Sequence, residues 1–281
     1  MFGLASFLGA IFLASAFAGL LGSLVGLGGG VLLIPLLTLG FGMDFRLAVG
    51  TSIVSVIATS SGAAAAYLRD RLTNLRLGVL LELATTLGAI TGALVAPRVR
   101  EGLLFVLFGL LLLLSVVPTA AKLGEEVPRG VRNDALAERL RLASSYPDPA
   151  TGRSVPYQVT RVPLGMLMMY GAGVASGLLG IGSGALKVLA MDTAMRLPMK
   201  VSTATSNFMI GVTAAASAGI YFWRGEIPPL IAAPVALGVV TGAAVGARLL
   251  AQLSNRAVRG VFVPVLGLVA VEMILRGMGR M

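Results

Sequence analysis

The chain has 281 residues, of which 57% are hydrophobic and only 12% are charged, with a formal net charge of +10. Because soluble domains carry about 25% charged residues, this composition predicts a membrane protein. The chain contains neither cysteine nor histidine, which excludes disulfides, thiolate catalysis, Ser-His chemistry and clustered metal sites. The basic residues lie in loops without interleaved aromatics, so we expect them to face anionic headgroups, with no nucleic acid and no cofactor as partners.

Apolar stretches long enough to cross a bilayer recur along the chain, since about 20 residues of helix span a hydrocarbon core about 30 Å thick. No basic region with a cleavage site precedes the first stretch, so we expect it to be retained. Two shorter apolar segments, residues 31–42 and 185–195, favour re-entrant or broken helices. The full-length stretches predict eight membrane helices, at residues 4–22, 46–67, 75–97, 102–120, 163–179, 199–222, 228–250 and 257–277.

Residues 121–160 differ from the rest of the chain because they carry many charged side chains, and they predict an extramembrane linker. We therefore divide the chain into a first transmembrane repeat (1–120), the linker (121–160) and a second transmembrane repeat (161–281). Within the linker, the segment from Val131 to Leu142 is interpreted either as an amphipathic helix on the membrane surface or as a partly disordered connector. The linker's basic residues favour the cytoplasmic side.

The two halves of the chain match without a gap when one is shifted by 154 positions, from about residue 19 to residue 93. The match predicts an all-α polytopic membrane protein built from two homologous repeats of four to five helices. An odd number of crossings per repeat makes the repeats inverted and an even number makes them parallel, and we favour inverted repeats. The matched pairs include Gly26 with Gly180, Thr51-Ser52 with Thr205-Ser206, Tyr67 with Tyr221, Gly88 with Gly242 and Gly92 with Gly246.

Each half contains a glycine-rich loop inside an apolar span, at residues 26–30 and 180–184. A dinucleotide-binding loop is disfavoured because neither a βαβ unit nor an acidic ribose partner accompanies it. Each glycine costs about 1 kcal/mol of helix propensity. One explanation of why the chain nevertheless has glycines here is close helix packing through small residues. We prefer a second explanation, in which the break frees backbone N–H groups to bind a small anion. The candidate N–H donors are those of Gly28, Gly29, Gly30, Gly182, Ser183 and Gly184.

Polar side chains near the loops are further candidates. Lys187, in an apolar run after the second loop, is interpreted as a counter-charge for the substrate, as a side chain that snorkels to an interface, or as a partner of Asp192. Glu82 and Glu272 could carry protons, but a position near the headgroups is the preferred interpretation. Five residues that begin the helix after each loop either donate hydrogen bonds to the anion or bond back to their own helix: Thr51, Ser52, Thr205, Ser206 and Asn207.

These motifs resemble those of the TauE/SafE family of sulfite exporters, also called the toluene sulfonate uptake permease family. The resemblance rests on residues 23–30 followed by Pro35, on residues 47–52, and on the copies around Gly180 and Thr205. It covers nearly the whole chain outside the linker. The resemblance implies transport of small sulfur-containing anions such as sulfite, thiosulfate, sulfonates or sulfoacetate, driven by an ion gradient.

The residues and the resemblance together predict a multi-pass secondary transporter of the inner membrane, without enzymatic activity, that holds a small anion near the bilayer midplane and alternates access. The expected partners are the anion, the lipid bilayer and a coupling proton or cation, and a homo-oligomer is left open. Four alternatives remain: an anion channel, a transporter of another small organic anion, an intramembrane enzyme limited to Ser-Lys chemistry, and a structural subunit.

Overall fold

The computed structural model of the protein describes residues 3–25, 30–120, 130–148, 153–250 and 255–279. The described chain is mostly helical, and the eight helices of 18 residues or more lie at the predicted positions. Short π-helical turns, Leu36–Gly40 and Ala190–Ala194, extend α2 and α8, and a 3₁₀ turn, Ala96–Arg98, follows α4. The α-helices are α1 (Leu4–Val25), α2 (Gly30–Pro35), α3 (Phe45–Arg69), α4 (Leu75–Val95), α5 (Glu101–Ala120), α6 (Ala135–Arg139), α7 (Val162–Leu179), α8 (Gly184–Leu189), α9 (Met199–Trp223), α10 (Pro229–Leu250) and α11 (Asn255–Met278).

Large apolar side chains cover the outer faces of these helices. Leu13, Leu167, Leu237 and Leu268 are each more than 60% exposed, which would be a liability in water and suits contact with lipid. By length and composition, four windows of the described chain can cross a membrane: Leu4–Leu21, Phe45–Gly62, Leu75–Arg98 and Val162–Leu179. The protein is therefore a multi-pass membrane protein.

Helices of the two halves pack closely against each other at glycines, and two of these pairs run parallel. Gly88 and Gly92 of α4 lie so close to the carbonyl oxygens of Tyr170 and Val174 on α7 that a Cβ atom would collide with them. Small residues permit such close approach between membrane helices. Because the contact positions advance together, α4 and α7 run parallel. Helix α10 meets α1 in the same way, through Gly238 with Phe12 and Gly242 with Ala16.

Two other pairs run antiparallel. The turn after α9 contacts the start of α3, where Gly50 lies against the carbonyl oxygen of Glu226. At the opposite end, Asn74 follows α3 and its backbone N–H donates to Thr205 Oγ1 near the start of α9. The start of each helix therefore lies beside the end of the other. Helices α5 and α11 are also antiparallel, with Gly109 against Ala270 and Gly277 against Gly102.

The boundaries of the elements in the two halves correspond closely. A shift of 154 positions moves α2 onto Gly184–Leu189, its π-helical turn onto Ala190–Ala194, and α3 onto Met199–Trp223, without a difference of one residue. Two of the pairs related by this shift, α3 with α9 and α5 with α11, run in opposite directions. The correspondence includes the irregular π-helical turns, which hydropathy alone does not predict.

The linker forms a small cap and corrects two predictions. Helix covers only residues 135–139 of the predicted segment Val131–Leu142. After it, strand β1 (Ser144–Asp148) pairs antiparallel with strand β2 (Arg153–Tyr157), so the chain is not all-α. Each strand contains a proline, which argues against a strand in sequence analysis but is tolerated in a two-stranded hairpin, where both strands are edges.

The cap packs onto the helical bundle rather than lying separately on a membrane surface. Buried Leu142 and Tyr146 of the cap share one apolar core with Leu77 of α4 and Val201 of α9. The side chain of Asp134 caps α6 by accepting a hydrogen bond from the backbone N–H of Ala137, at 2.7 Å. The described part of the linker is therefore ordered against the starts of α4 and α9.

Candidate functional site

The second glycine loop interrupts the helical path between α7 and α8, as predicted. Gly180, Gly182 and Ser183 adopt left-handed backbone conformations, with φ values of 67°, 69° and 49°. Glycine adopts this region readily, whereas a serine there is strained by about 1 to 2 kcal/mol. Strained backbone of this kind is often found at functional sites.

The first glycine loop lies largely outside the described residues, and this includes Gly28 and Gly29 of the predicted site. Helix α2 begins at the next position, Gly30, which is buried against Val56 and Ser52 of α3. Its matched residue, Gly184, begins α8 and lies against Ile210 and Ser206 of α9. The starts of α2 and α8 therefore have equivalent surroundings.

The second loop inserts between α3 and α9. Gly182 lies between Val56 of α3 and Ile210 of α9, where a Cβ atom would be 3.0 and 2.8 Å from side-chain carbons of these residues. Val56 and Ile210 are matched positions at the shift of 154 residues. Gly182 thus lies between two residues that occupy matched positions in the two halves.

Two matched serines bind the backbone at the breaks. Ser52 Oγ lies 3.3 Å from the carbonyl oxygens of both Gly30 and Gly180, and its hydroxyl donates to them. Ser206 Oγ donates to the carbonyl of Gly184 at 3.1 Å. Because Ser52 contacts the carbonyl of Gly30, the first residue of α2, and that of Gly180 in the second loop, the start of α2 lies beside the second break. These hydroxyls stabilise the breaks.

The two matched threonines have different surroundings. Thr205 Oγ1 accepts the backbone N–H of Asn74 at 3.1 Å. Thr51 Oγ1 is buried without a hydrogen-bond partner among the described residues, as is the hydroxyl of Ser183. The position that matches Asn74 is Pro228, and proline has no N–H to donate. The first half therefore keeps a buried hydroxyl available for another partner.

Asn207 is bound to its own helix. Its Nδ2 donates to the carbonyl of Thr203, one turn earlier in α9, at 3.0 Å. This agrees with the alternative in which polar residues after the loops bond back to the helix. Asn207 is buried, with 8% of its surface exposed.

Lys187 lies in the interior and is bound to residues of two other helices. Its Nζ donates to Thr213 Oγ1 of α9 at 2.5 Å and lies 4.0 Å from Glu82 Oε2 of α4. The hydroxyl of Thr213 donates in turn to Glu82 Oε1 at 2.7 Å, as does that of Thr86 at 2.9 Å. We call Lys187, Thr213 and Glu82 the charged cluster. It joins α8, α9 and α4 at one buried point.

The charged cluster corrects two interpretations of the sequence. Lys187 has no exposed surface, so it does not snorkel, and its partner is Glu82 rather than Asp192. Glu82 is only 7% exposed and lies beside Lys187, whereas Glu272 is exposed, and the depth of both carboxyls relative to the headgroups stays a prediction. The missed signal is the helical spacing of Glu82 with Gly78 and Thr85, which form the inward face of α4.

Asn74 links the helical bundle to the cap. Its Nδ2 donates to the carbonyl of Leu142 and to the hydroxyl of Tyr157, both at 2.9 Å, and its Oδ1 accepts the N–H of Leu77. Burial raises the pKa of Tyr157, so this hydroxyl stays neutral near physiological pH. The same residue that binds Thr205 through its backbone therefore holds the linker through its side chain, which sequence analysis did not detect.

A lipid-facing bundle of broken helices around a buried charged cluster defines a membrane transport protein. The family model described as "Sulfite exporter TauE/SafE" matches residues 11–273. The chain therefore belongs to the TauE/SafE family, whose members are membrane transporters and not enzymes.

Curated relatives agree with this family. The chain is similar to the probable membrane transporter protein YunE of Bacillus subtilis (strain 168), with 26% identity over 267 residues, covering 92% of this chain and 94% of the relative. It is also similar to YdhB of the same organism, a probable membrane transporter protein, at 26% identity, covering 85% of this chain and 88% of the relative. The match to the probable membrane transporter protein MamO of Paramagnetospirillum magneticum, at 26% identity, covers 97% of this chain but only 45% of that longer protein. No solved structure gives a significant match.

Proposed function

We propose that this protein is a secondary transporter that carries a small sulfur-containing anion, such as sulfite, thiosulfate, a sulfonate or sulfoacetate, across the inner membrane by alternating access. The observation that carries the proposal is the contact of Ser52 with both the start of α2 at Gly30 and the second backbone break at Gly180, with a fully buried lysine one turn into α8. Backbone N–H groups and a buried cation suit a negatively charged solute.

The proposal extends to the architecture. We interpret residues 1–120 and 161–281 as two homologous repeats of inverted orientation, joined by the linker at residues 121–160. The coincidence of element boundaries supports homology, and the antiparallel course of α3 and α9 supports inversion. Inverted repeats allow two conformations, related by a pseudo-two-fold axis in the membrane plane, that open the site to opposite sides of the membrane.

The proposed site uses three kinds of group. The buried hydroxyls of Thr51 and Ser183 have no partner in the part of the chain that the structure describes, so they are the most available side-chain donors. Lys187 supplies the positive charge, and Ser52, Thr205, Ser206 and Asn207 hold the surrounding backbone in position. The backbone N–H donors are those of Gly28, Gly29, Gly30, Gly182, Ser183 and Gly184.

Substitution at the centre of the breaks tests this site. Gly182→Leu would force a large side chain between Val56 and Ile210 at a positive φ, so we expect exchange of radiolabelled thiosulfate by proteoliposomes to fall at least about tenfold, corresponding to about 1.4 kcal/mol. Gly171→Leu is the matched control, because a Cβ atom at this position of α7 would meet no described atom within 4 Å. Undiminished exchange by folded Gly182→Leu protein would refute the site.

Two further measurements address the substrate and the transport mode. A thermal-shift screen with sulfite, thiosulfate, sulfoacetate, sulfate and simple carboxylates should raise the melting temperature only for anions that bind the folded protein. Counterflow exchange distinguishes a carrier from a channel, because only a carrier accelerates uptake when unlabelled anion is present on the opposite side. If only the carboxylates raise the melting temperature, the substrate is an organic anion without sulfur and not the proposed sulfur-containing anion.

A further inference from the structure

We propose that the charged cluster couples anion transport to a proton. A substrate anion that binds Lys187 replaces Glu82 as the counter-charge of the ammonium group, and the released carboxylate takes up a proton that crosses the membrane with the anion. This inference rests on the proposed function, and it identifies the coupling ion and the residue that carries it.

The geometry of the cluster leaves room for a second acceptor at Lys187. An ammonium group has three N–H donors, and the hydrogen bond from Nζ to Thr213 uses one of them. The distance of 4.0 Å between Nζ and Glu82 Oε2 is too long for a direct hydrogen bond. Oε2 is itself buried without a hydrogen-bond partner in the described chain. Lys187 therefore makes no direct hydrogen bond to Oε2, and an anion could accept from the ammonium group there.

The net charge of Lys187, Glu82 and a bound anion explains why anion binding would be coupled to protonation of Glu82. Without substrate, Lys187 and Glu82 neutralise each other in an interior of low dielectric. An anion bound to Lys187 adds a negative charge beside the carboxylate, and like charges repel strongly where water is excluded. A proton on Glu82 removes that repulsion, and the protonated carboxyl gains an O–H donor. Binding of the anion and of the proton therefore favour each other.

The position of the cluster connects it to the backbone break. The N–H of Lys187 donates to the carbonyl of Ser183 within the break, and residues four apart lie on the same face of a helix. The hydroxyl of Ser183 is buried and has no partner among the residues described. An anion held near Ser183 is therefore one helical turn from Lys187, and movement of the break during transport carries Lys187 towards or away from Glu82.

Other titratable groups on the surrounding elements have separate positions. Tyr170 on α7 donates to Thr91, and Asp192 lies on the π-helical turn five residues beyond Lys187. The other charged residues of α4 and α9 lie at the helix ends: Arg76 donates to the carbonyl of Arg141, and Lys200 is in the first turn of α9. Arg224, directly after α9, donates to the carbonyl of Ala93, and Tyr221, near the end of α9, donates to that of Gly177. Glu82 is the acidic partner of Lys187 in the described chain.

The charged cluster has no second copy at the matched positions: its carboxylate lies in the first half, and its lysine and threonine lie in the second. The positions that match its lysine and its carboxylate at the shift of 154 residues are Leu33 and Ala236, and neither can bind a proton. One coupling site per chain predicts about one proton for each anion carried.

Proteoliposomes with an acidic exterior test this inference. Thiosulfate and sulfoacetate serve as probes because both stay ionised near neutral pH, and potassium with valinomycin holds the membrane potential at zero. We expect steady-state accumulation to rise about tenfold for one pH unit of gradient, since one proton then contributes a tenfold driving force. In Glu82→Gln, which keeps the shape of the side chain, this ratio should fall to about one. The ratio is independent of the transport rate.

Glu272→Gln is the matched control, because Glu272 is an exposed carboxyl on α11 and its loss should leave the tenfold ratio intact. A tenfold ratio in Glu82→Gln would overturn the inference. Wild-type protein that exchanges either probe but shows no rise in accumulation with the pH gradient would also overturn it and would leave the proposed function standing. Wild-type protein that neither binds nor exchanges the sulfur anions would instead refute the proposed function.

If Glu82→Gln does not fold, proton uptake by wild-type protein decides the question alone. Addition of thiosulfate to the purified protein in weakly buffered detergent solution should alkalinise the medium by about one proton per bound anion. Binding of thiosulfate without a change in pH would overturn the inference.

Discussion

The two halves of the chain share a backbone plan but place different residues beside it. In the second half, Lys187 reaches Thr213 and Glu82 in the buried interior. In the first half, Leu33 is fully buried in the apolar core, and Thr59 donates to the carbonyl of Ser55 in its own helix. The residues of the first half that match Lys187 and Thr213 are therefore an apolar side chain and a threonine that bonds within its own helix.

This difference distinguishes the structural features that come from the similar backbone of the two halves from the charged groups that come from side chains found in one copy only. Both halves have a short helix that begins with glycine, a π-helical turn and a serine that donates to the carbonyl of that glycine. A lysine in both halves would bring two positive charges into one low-dielectric interior, where each would need its own counter-charge. A single lysine with a single carboxylate keeps the empty site neutral and able to respond to one anion.

Substitution of Lys187 by the residue of the first half should have the largest effect. Lys187→Leu leaves Glu82 buried without a counter-charge, and breaking a buried pair typically costs about 3 to 5 kcal/mol. We expect a clearly lower melting temperature in detergent and loss of anion exchange. The double variant Lys187→Leu with Glu82→Ala should recover much of the melting temperature but no exchange. Equal melting temperatures of the single and double variants would contradict the pairing.

The matched glycine contacts provide the next test. Gly88→Ala and Gly242→Ala would each force a Cβ atom into a backbone carbonyl, of Tyr170 and Ala16 respectively, and such overpacking costs about 1 to 3 kcal/mol. We expect similar decreases in melting temperature for the two variants. Gly171→Ala, with open space around it in the described structure, should instead be stabilising by about 0.5 to 1 kcal/mol. Unequal effects of the matched pair would argue against equivalent packing in the two halves.

The two threonines sharpen the comparison further. Thr205→Val would leave the N–H of Asn74 without its acceptor, at a cost of about 1 to 3 kcal/mol. Thr51→Val removes a hydroxyl that has no partner among the described residues, so its melting temperature should be unchanged or higher. Anion exchange should nevertheless fall in Thr51→Val if this hydroxyl contacts the substrate. A stability loss in Thr51→Val as large as that in Thr205→Val would show that the threonines are equivalent.

The smallest effect is expected at the hydrogen bond between Asn74 and the cap. Tyr157→Phe removes the hydroxyl that accepts from Asn74, which is worth about 0.5 to 1.5 kcal/mol. We expect a small change in melting temperature and several-fold faster limited proteolysis within the linker. Ser145→Ala, at an exposed position of β1, is the control. Unchanged proteolysis would mean that this contact does not hold the cap.

Much of the fold could be predicted because the hydropathy and glycine content of a segment determine whether that segment forms a membrane helix or a helix break. The eight long helices, the two short segments and the helix break at Gly182 follow from the length of apolar runs and from the backbone freedom of glycine. The hairpin of the linker could not be predicted, because Pro147 and Pro156 weaken any strand pattern. Its stability comes from packing against Leu77 and Val201.

The sequence by itself determined the membrane class, the helix positions and the matched halves, since each depends on residues close in the chain or on a constant offset. Only the tertiary structure decided that Lys187 faces Glu82 and that Thr51, unlike Thr205, lacks a donor within the described chain. Lys187 and Glu82 lie on helices far apart in sequence, and their contact depends on the direction and rotation of α4, α8 and α9. Those quantities are set by close packing at many positions together, which no local pattern encodes.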